Sequence, residues 1–227
     1  MSHQQNIIRI KAVYNALEEL AKDIVFVGGA TVSLYADRPS NESRPTDDVD
    51  ILIELLHYND YAGLEEKLRK KGFENDFRSG VICRFIITGI IVDIMPTLEK
   101  VLGFSNRWYA AAFADAVSVS IDQNHTIRIF SAVYFIATKA EAYKNRGNKD
   151  ARMSSDFEDI VFILNYRNAI WNELQTAPQT VKEYLKETFK EFLDSAYIYE
   201  WISAHIDYNE QRRVNFIIGG LTHFVNN

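Results

Sequence analysis

The sequence predicts an α+β fold, in which an α/β first half is followed by an all-helical second half. Short apolar runs bounded by turn residues, the pattern of buried strands, are found up to residue 130. From Ser131 onward, apolar residues recur at helical spacing and glycine is scarce. We therefore expect two domains, residues 1–130 and 131–227, with no flexible linker at their boundary.

The composition is that of an ordinary globular protein, with 47% hydrophobic and 25% charged residues among 227. The net charge of −6 argues against a nucleic-acid coat protein, although it allows a local basic patch. Cys83 is the only cysteine and lies in an apolar run, so we expect a buried, inert thiol. No segment has the roughly 20 apolar residues that span a bilayer, and the amino terminus lacks a signal-peptide pattern. We expect a cytoplasmic protein without a membrane partner.

The first half alternates predicted strands and helices. Apolar residues three and four positions apart predict a first helix over residues 7–22, and further helices are expected at 30–35 and 58–71. The predicted strands cover residues 24–27, 49–56, 81–87, 90–95 and 126–130. Thr88-Gly89 separates two β-branched runs, which predicts a hairpin. The proline- and serine-containing stretch from Asp37 to Asp47 is expected to be a loop.

The helical half contains two clear helix starts. Pro178 fits the first turn of a helix with Val181 and Leu185 on its apolar face. Ser155 and Glu158 have the spacing of a capping box, which predicts another helix start.

Three carboxylates stand out because they lie within predicted strands. Asp48 and Asp50 are two residues apart, so both side chains project from the same face. Asp93 interrupts an apolar strand, where an ionised carboxylate is costly without a partner. If the two strands are neighbours, Asp93 can reach the ion held by Asp48 and Asp50, and three carboxylates are enough to hold two Mg²⁺ ions about 3.5–4 Å apart. A lone Asp-x-Asp pattern more often reflects loop or cap chemistry, and only the conjunction of all three favours a metal site.

Two other features point to bound anions. Gly28-Gly29 follows a predicted strand and precedes a predicted helix, a place where exposed amides bind phosphate, although a glycine pair alone usually marks a tight turn. Lys139 lies among apolar residues and is therefore a candidate site residue, whereas Lys144 is interpreted as a solvated cation at a helix end. Asp156 and Asp159 could be helix-cap residues or part of the site.

These features together resemble the polymerase-β-like nucleotidyltransferase superfamily. Its signature is a Gly-Gly or Gly-Ser that opens a helix, an Asp-x-Asp at the next strand, and a third Asp on a later strand. Within it, the chain is most similar to the AbiEii-type nucleotidyltransferases, which include bacterial toxins and phage-defence proteins. Two further stretches carry this likeness: RPTDDVDI at 44–51 and ATKAEAYKNRGNKDARMSSDFEDIV at 137–161.

The resemblance implies a role for each matching residue. The polymerase-β-like domain would be a mixed sheet with flanking helices, and the helical domain would contribute Lys139 to the site. The implied nucleotide-binding residues are Gly28, Gly29, Arg44, Thr46 and Asp159, with Asp159 preferred to Asp156. The implied metal ligands and catalytic carboxylates are Asp48, Asp50 and Asp93, and Lys139 would neutralise phosphate charge.

The expected reaction is a Mg²⁺-dependent transfer of a nucleoside monophosphate from an NTP to an acceptor hydroxyl. The resemblance implies RNA, tRNA or protein as acceptor, and a toxin with a cognate antitoxin. Two alternatives stay open at this point. One is a catalytically silent nucleotide-binding module, and the other is a transferase for small molecules of the aminoglycoside kind.

Overall fold

The structure is a computed structural model that describes residues 2–38, 43–55, 58–103, 105–146 and 150–227. It is an α+β fold, which confirms the predicted class. The chain divides into two compact units, the first formed by Met1–Leu34 and Glu42–Ser131, the second by Tyr35–Asn41 and Ala132–Asn227. The second unit therefore takes a short segment from the amino-terminal half in addition to the carboxy-terminal helices.

Within the described residues, a mixed sheet of seven strands forms the centre of the first unit. Its strands are β1 (Ile24–Val27), β2 (Asp48–Ile53), β3 (Glu74–Asn75), β4 (Arg84–Ile87), β5 (Ile90–Pro96), β6 (Val117–Ser120) and β7 (Thr126–Ile129). Their order across the sheet is β3-β4-β5-β2-β1-β7-β6. The pairs β2–β5 and β1–β7 are parallel, and the other neighbours are antiparallel. All four residues of β1 are buried, as an uninterrupted apolar run in a central strand requires.

Four described α-helices accompany this sheet. They are α1 (Ser2–Leu17), α2 (Tyr58–Lys70), α3 (Glu99–Leu102) and α4 (Tyr109–Ala114). The stripe that predicted the first helix is buried, since Ile10, Val13 and Leu17 are almost inaccessible. α1 begins earlier than predicted and passes at Glu18–Lys22 into a 3₁₀ helix.

The predicted hairpin is present, with a two-residue turn between β4 and β5. Thr88 and Gly89 both have positive φ, 49° and 80°, which is the conformation of a type I′ turn. The turn fixes the register, so that Ile87 pairs with Ile90, and Arg84 pairs with Asp93.

Six described α-helices build the second unit. They are α5 (Ala132–Asn145), α6 (Ser155–Tyr166), α7 (Ile170–Thr176), α8 (Gln179–Leu193), α9 (Ile198–Ser203) and α10 (Arg212–Asn226). Val181 and Leu185 are buried as predicted. Arg38 ties the 35–41 segment to this unit by donating to the Asn165 carbonyl at 2.9 Å and to Glu210 at 3.0 Å. Among the described helices, none combines the length and apolar character of a membrane span.

The short helix predicted at 30–35 is present as a 3₁₀ helix, Gly29–Tyr35, but several other local predictions were wrong. Residues 81–83 do not continue β4, since Val81 and Ile82 are exposed outside the strand. The cap of α6 is Ser154, whose hydroxyl accepts from the Phe157 amide, and not Ser155. The strands β3 and β6 were missed, and the end predicted for β2 at Leu56 lies outside the described residues.

Candidate metal centre

The three predicted carboxylates lie on two neighbouring strands, and Arg84 lies on the next strand. Asp50 on β2 is the register partner of Asp93 on β5, and Asp93 is in turn the partner of Arg84 on β4. Residues directly opposite each other project from the same face of a sheet. Asp48 shares that face because it lies two residues before Asp50. We call these four residues the carboxylate row.

The three carboxylates converge closely enough to share a cation. One oxygen from each of Asp48, Asp50 and Asp93 lies within 4.8 Å of the others. Asp93 is buried and the other two are half-buried, so their mutual repulsion is poorly screened. A set of hard carboxylate oxygens in this arrangement fits Mg²⁺, which keeps part of its water shell or takes phosphate oxygens as further ligands. The adjacent Asp47 is exposed.

Arg84 balances part of this negative charge. It was not among the site residues predicted from the sequence. Its Nε and Nη2 atoms donate to the two oxygens of Asp93, each at 2.8 Å, and Nη2 lies 3.6 Å from Asp48 Oδ2. The hydrogen bonds to Asp93 raise the pKa of Arg84 above its usual range, so the guanidinium stays charged. The pairing of Arg84 with Asp93 could have been predicted from the sequence, because a two-residue turn at 88–89 places residue 84 opposite residue 93.

Gly28 lies against the Asp50 carboxylate. Val27, the last residue of β1, is the register partner of Asp50. Gly28 follows directly, so the chain leaves the strand beside the Asp50 side chain. A Cβ atom at Gly28 would lie 2.7 Å from Asp50 Cγ, and φ at this residue is +71°. Both the space and the backbone conformation therefore require glycine.

Gly29 lies close to two residues that precede β2, Arg44 and Thr46. A Cβ atom at Gly29 would lie 2.9 Å from Arg44 Cζ and 2.8 Å from Thr46 Cγ2, so the absence of a side chain lets the Arg44 guanidinium approach the backbone. Thr46 is buried; its hydroxyl donates to Asn6 Oδ1 at 3.2 Å, and its carbonyl accepts from Arg9. A nucleotide contact from the Thr46 hydroxyl would have to replace the bond to Asn6.

The phosphate-binding role of the glycine pair stays a prediction. The segment after Gly28 is a short 3₁₀ helix, whose first backbone hydrogen bond runs from Thr31 N to Gly28 O. A seven-residue 3₁₀ segment does not provide the aligned peptide dipoles of an α-helix. The positive charge next to the glycines comes from Arg44 instead.

Lys139 lies in the second unit, on α5, and forms ion pairs within that unit. Its Nζ atom is 2.7 Å from Asp159 Oδ2 and 3.2 Å from Asp156 Oδ1. Arg146 Nη1 is 2.7 Å from the other oxygen of Asp156. Both carboxylates are buried, so these pairs hold α5 to α6. The contributions of Lys139 and Asp159 to nucleotide binding stay predictions.

Comparison with known proteins adds no assignment, since neither a family model nor a curated protein sequence matches this chain.

Proposed function

We propose that the protein is a Mg²⁺-dependent nucleotidyltransferase of the polymerase-β-like type, which moves a nucleoside monophosphate from an NTP to an acceptor hydroxyl. The observation that carries this proposal is the convergence of Asp48, Asp50 and Asp93 on one face of a mixed sheet. Three carboxylates held this close repel one another, and a divalent cation would balance the charge that Arg84 leaves.

The bound metal would be held by Asp48 and Asp50, with Asp93 available beside them, and would neutralise charge on the phosphate oxygens. The glycine pair supports a triphosphate on the other side of Asp50, because it leaves open backbone with the Arg44 guanidinium next to it. In this arrangement the chain itself supplies both negative ligands for the cation and positive charge for the anion.

The reaction exchanges one phosphorus–oxygen bond for another. The acceptor oxygen forms a bond to the α-phosphorus, the bond from that phosphorus to the bridging oxygen of the β-phosphate breaks, and pyrophosphate leaves with the bonding electrons. The hydroxyl proton passes to the Asp93 carboxylate and from there to water. The protein acts mainly by positioning these groups and neutralising their charge.

Arg84 fits this scheme as a fixed positive charge beside Asp93 and Asp48. It engages both oxygens of Asp93, so a metal ion that used Asp93 would share this carboxylate with the guanidinium. The Arg84 contacts therefore support a single metal ion, which Asp48 and Asp50 would hold, with Arg84 as the second cation in place of the second metal ion predicted from the sequence. The lysine and acidic residues of the second unit, Lys139 and Asp159, are proposed to neutralise phosphate charge and to contact the nucleotide.

The resemblance also leads us to propose RNA, tRNA or protein as acceptor and a toxin function with a cognate antitoxin. The direct test is incubation of the full chain with Mg²⁺, each α-³²P-labelled NTP in turn, and total cellular RNA and protein. The proposal requires a label on one macromolecule together with an equal amount of pyrophosphate, and loss of both in Asp48→Asn. NTP binding without pyrophosphate release would instead indicate a silent nucleotide-binding module, and transfer to added aminoglycosides alone would indicate a small-molecule transferase.

A further inference from the structure

A cleft lies at the opposite end of β2 from Asp48. It has a volume of about 560 Å³, and Ile53, the last residue of β2, is one of its lining residues. Ile53 follows Asp50 by three residues, which corresponds to about 10 Å along the strand. No described lining residue belongs to the carboxylate row or to the glycine pair. The cleft is therefore a second candidate site within the first unit.

Two segments that line the cleft are joined by a lysine. One is the 3₁₀ helix Glu18–Lys22, and the other is α2. Lys71 follows α2 directly, and its Nζ atom lies 2.6 Å from Glu18 Oε2 and 2.8 Å from Glu19 Oε2. Because these ion pairs connect the two segments, a ligand would meet walls that are already in place, which lowers the entropy lost on binding.

The cleft has an apolar interior and charges of both signs. Leu20, Ile53, Leu64 and Phe113 are lining residues that are buried. Within the described chain, the charged lining residues are three cations and three carboxylates, namely Lys22, Lys67 and Arg128, and Asp23, Glu54 and Asp60. A matching ligand carries an apolar group and charges of both signs. A nucleic-acid strand or a free polyphosphate carries negative charge alone, and the three carboxylates would repel it.

Arg128 is the charged lining residue best placed to bind an anion. It is half-buried, whereas the other five are exposed. Its Nη2 atom donates to the Phe113 carbonyl at 3.1 Å, and its Cζ atom lies 4.9 Å from the centre of the Phe113 ring. Among the described residues it has no ion-pair partner. The guanidinium is thus oriented, and its remaining N–H groups can donate to a carboxylate.

Gly63 gives a second, independent indication of a ligand. It lies inside α2, where glycine lowers helix stability relative to alanine. Packing does not explain this glycine, since a Cβ atom there would meet no neighbouring atom within 4 Å. Gly63 does line the cleft, and the absence of a side chain leaves the helix backbone open to the close approach of a ligand.

We propose that this cleft binds a short peptide whose carboxy-terminal residue is apolar. The terminal carboxylate bonds to Arg128, and the apolar side chain packs against Phe113 and its apolar neighbours. Positive groups of the peptide face the exposed carboxylates of the cleft. The volume lies in the range of small-ligand sites, about 300–1,000 Å³. This inference does not depend on the proposed nucleotidyl transfer.

The first test compares peptides on the unmodified full chain by isothermal titration calorimetry. The probes are the tripeptides Lys-Ala-Leu, Lys-Ala-Val and Lys-Ala-Phe, each as the free acid and as the carboxamide. We expect binding of at least one free acid, and binding of its carboxamide that is about 10- to 100-fold weaker, the effect of losing a charge-assisted contact. Absence of binding by all three acids, or equal affinity of acid and carboxamide, would overturn the inference.

The same three residues at the end of a twelve-residue peptide separate two sources of this ligand. Equal affinity of the long and short peptides would support binding of protein chain ends, and weaker affinity of the long peptide would support binding of free short peptides.

The second test places the peptide in the cleft. Gly63→Leu introduces a side chain into the cleft, whereas Ala62→Leu, the matched control, adds the same side chain at an exposed position of α2 that does not line it. We expect Gly63→Leu to abolish peptide binding and Ala62→Leu to leave it unchanged. Arg128→Gln should bind the free acid only as weakly as the unmodified chain binds the carboxamide, and Arg128→Lys should restore part of the difference.

Peptide binding that is unchanged in Gly63→Leu, or weakened equally in Ala62→Leu, would overturn the inference. Binding of AMP that displaces the peptide and is lost in Gly63→Leu would do so as well, because the cleft would then be a nucleotide site. These measurements use neither metal nor NTP, so their outcome is separate from that of the proposed nucleotidyl transfer.

Discussion

Arg84 and Asp93 face each other across the β4–β5 hairpin, and the guanidinium donates to both carboxylate oxygens at 2.8 Å. The same guanidinium lies 3.6 Å from Asp48. One cation therefore contacts two of three converging carboxylates, and the row retains a net negative charge that a divalent metal ion can balance. We therefore expect the stability of the first unit to depend on Arg84 and to respond to added metal.

Replacement of Arg84 by Gln should expose that dependence. The variant leaves Asp93 beside Asp50 without the guanidinium, and we expect it to lose about 1–3 kcal/mol of unfolding free energy. Added Mg²⁺ should raise its unfolding temperature by more than that of the unmodified chain, because the metal replaces the missing positive charge. Thermal unfolding with and without Mg²⁺ measures both effects. Arg78→Gln, a change at an exposed neighbour, is the matched control. Equal unfolding temperatures for Arg84→Gln and the control would contradict this account.

Gly28→Ala should disrupt the site through a single methyl group. The new Cβ would overlap Asp50, and alanine is strained at φ of +71°. We expect a loss of about 1–2 kcal/mol of stability and a metal affinity at least tenfold lower. Gly63→Ala is the control, because a Cβ at that position on α2 meets no neighbouring atom within 4 Å. This control should be neutral or slightly stabilising, since alanine is the better helix former. Metal titration of both variants measures the change in metal affinity. Equal affinities for Gly28→Ala and Gly63→Ala would contradict the close approach of Gly28 to Asp50.

Much of this site could be predicted from the sequence because it depends on local rules. Alternation along a strand places Asp48 and Asp50 on one face, and the two-residue turn at Thr88-Gly89 determines the hairpin. The pairing of β2 with β5 could not be predicted from such local rules. It joins residues more than forty positions apart, and only the tertiary fold fixes that Asp50 meets Asp93.

Other features depended on context that the sequence does not reveal. Val81 and Ile82 continue an apolar run and were assigned to a strand, yet the hydrogen bonds of Asp76 and the left-handed Gly80 make this segment a turn. The two-residue β3 is too short to leave a periodic pattern. The nucleotide-binding role that the resemblance implies for Thr46 stays a prediction, and the hydrogen bond from its hydroxyl to Asn6 on α1 joins residues 40 positions apart, which no local pattern predicts.

Lys139→Met should destabilise the second unit. The change removes the cation that bridges two buried carboxylates, Asp156 and Asp159, so we expect a loss of about 3 kcal/mol in urea unfolding. Lys144→Met is the control, because Lys144 pairs with an exposed Glu191 and should contribute less than about 1 kcal/mol. A folded Lys139→Met that binds NTP as tightly as the unmodified chain would contradict the proposed nucleotide role of Lys139, whatever its stability.

Cys83 should react slowly in the folded chain. Burial, and then the nearby Asp93 charge, raise the pKa of the thiol from 9.0 to about 12. Because the folded pKa is raised, the corresponding stability is fully present below pH 9 and is lost as the pH rises from about 9 to 12. Labelling with a disulfide reagent at pH 8 should therefore be much slower in buffer than in urea. Equal labelling rates in the two conditions would show that the thiol is accessible.

The most direct measurement of the central claim is Mn²⁺ binding by electron paramagnetic resonance, with and without an NTP, in the unmodified chain and in Asp50→Asn. Mn²⁺ accepts the same oxygen ligands as Mg²⁺ and reports its own coordination. We predict that the unmodified chain binds Mn²⁺, that NTP tightens this binding, and that Asp50→Asn weakens it at least tenfold while the fold, checked by circular dichroism, is retained. Mn²⁺ affinity that is the same in both proteins, or that does not respond to any NTP, would contradict the assignment of the carboxylate row as the metal and nucleotide centre.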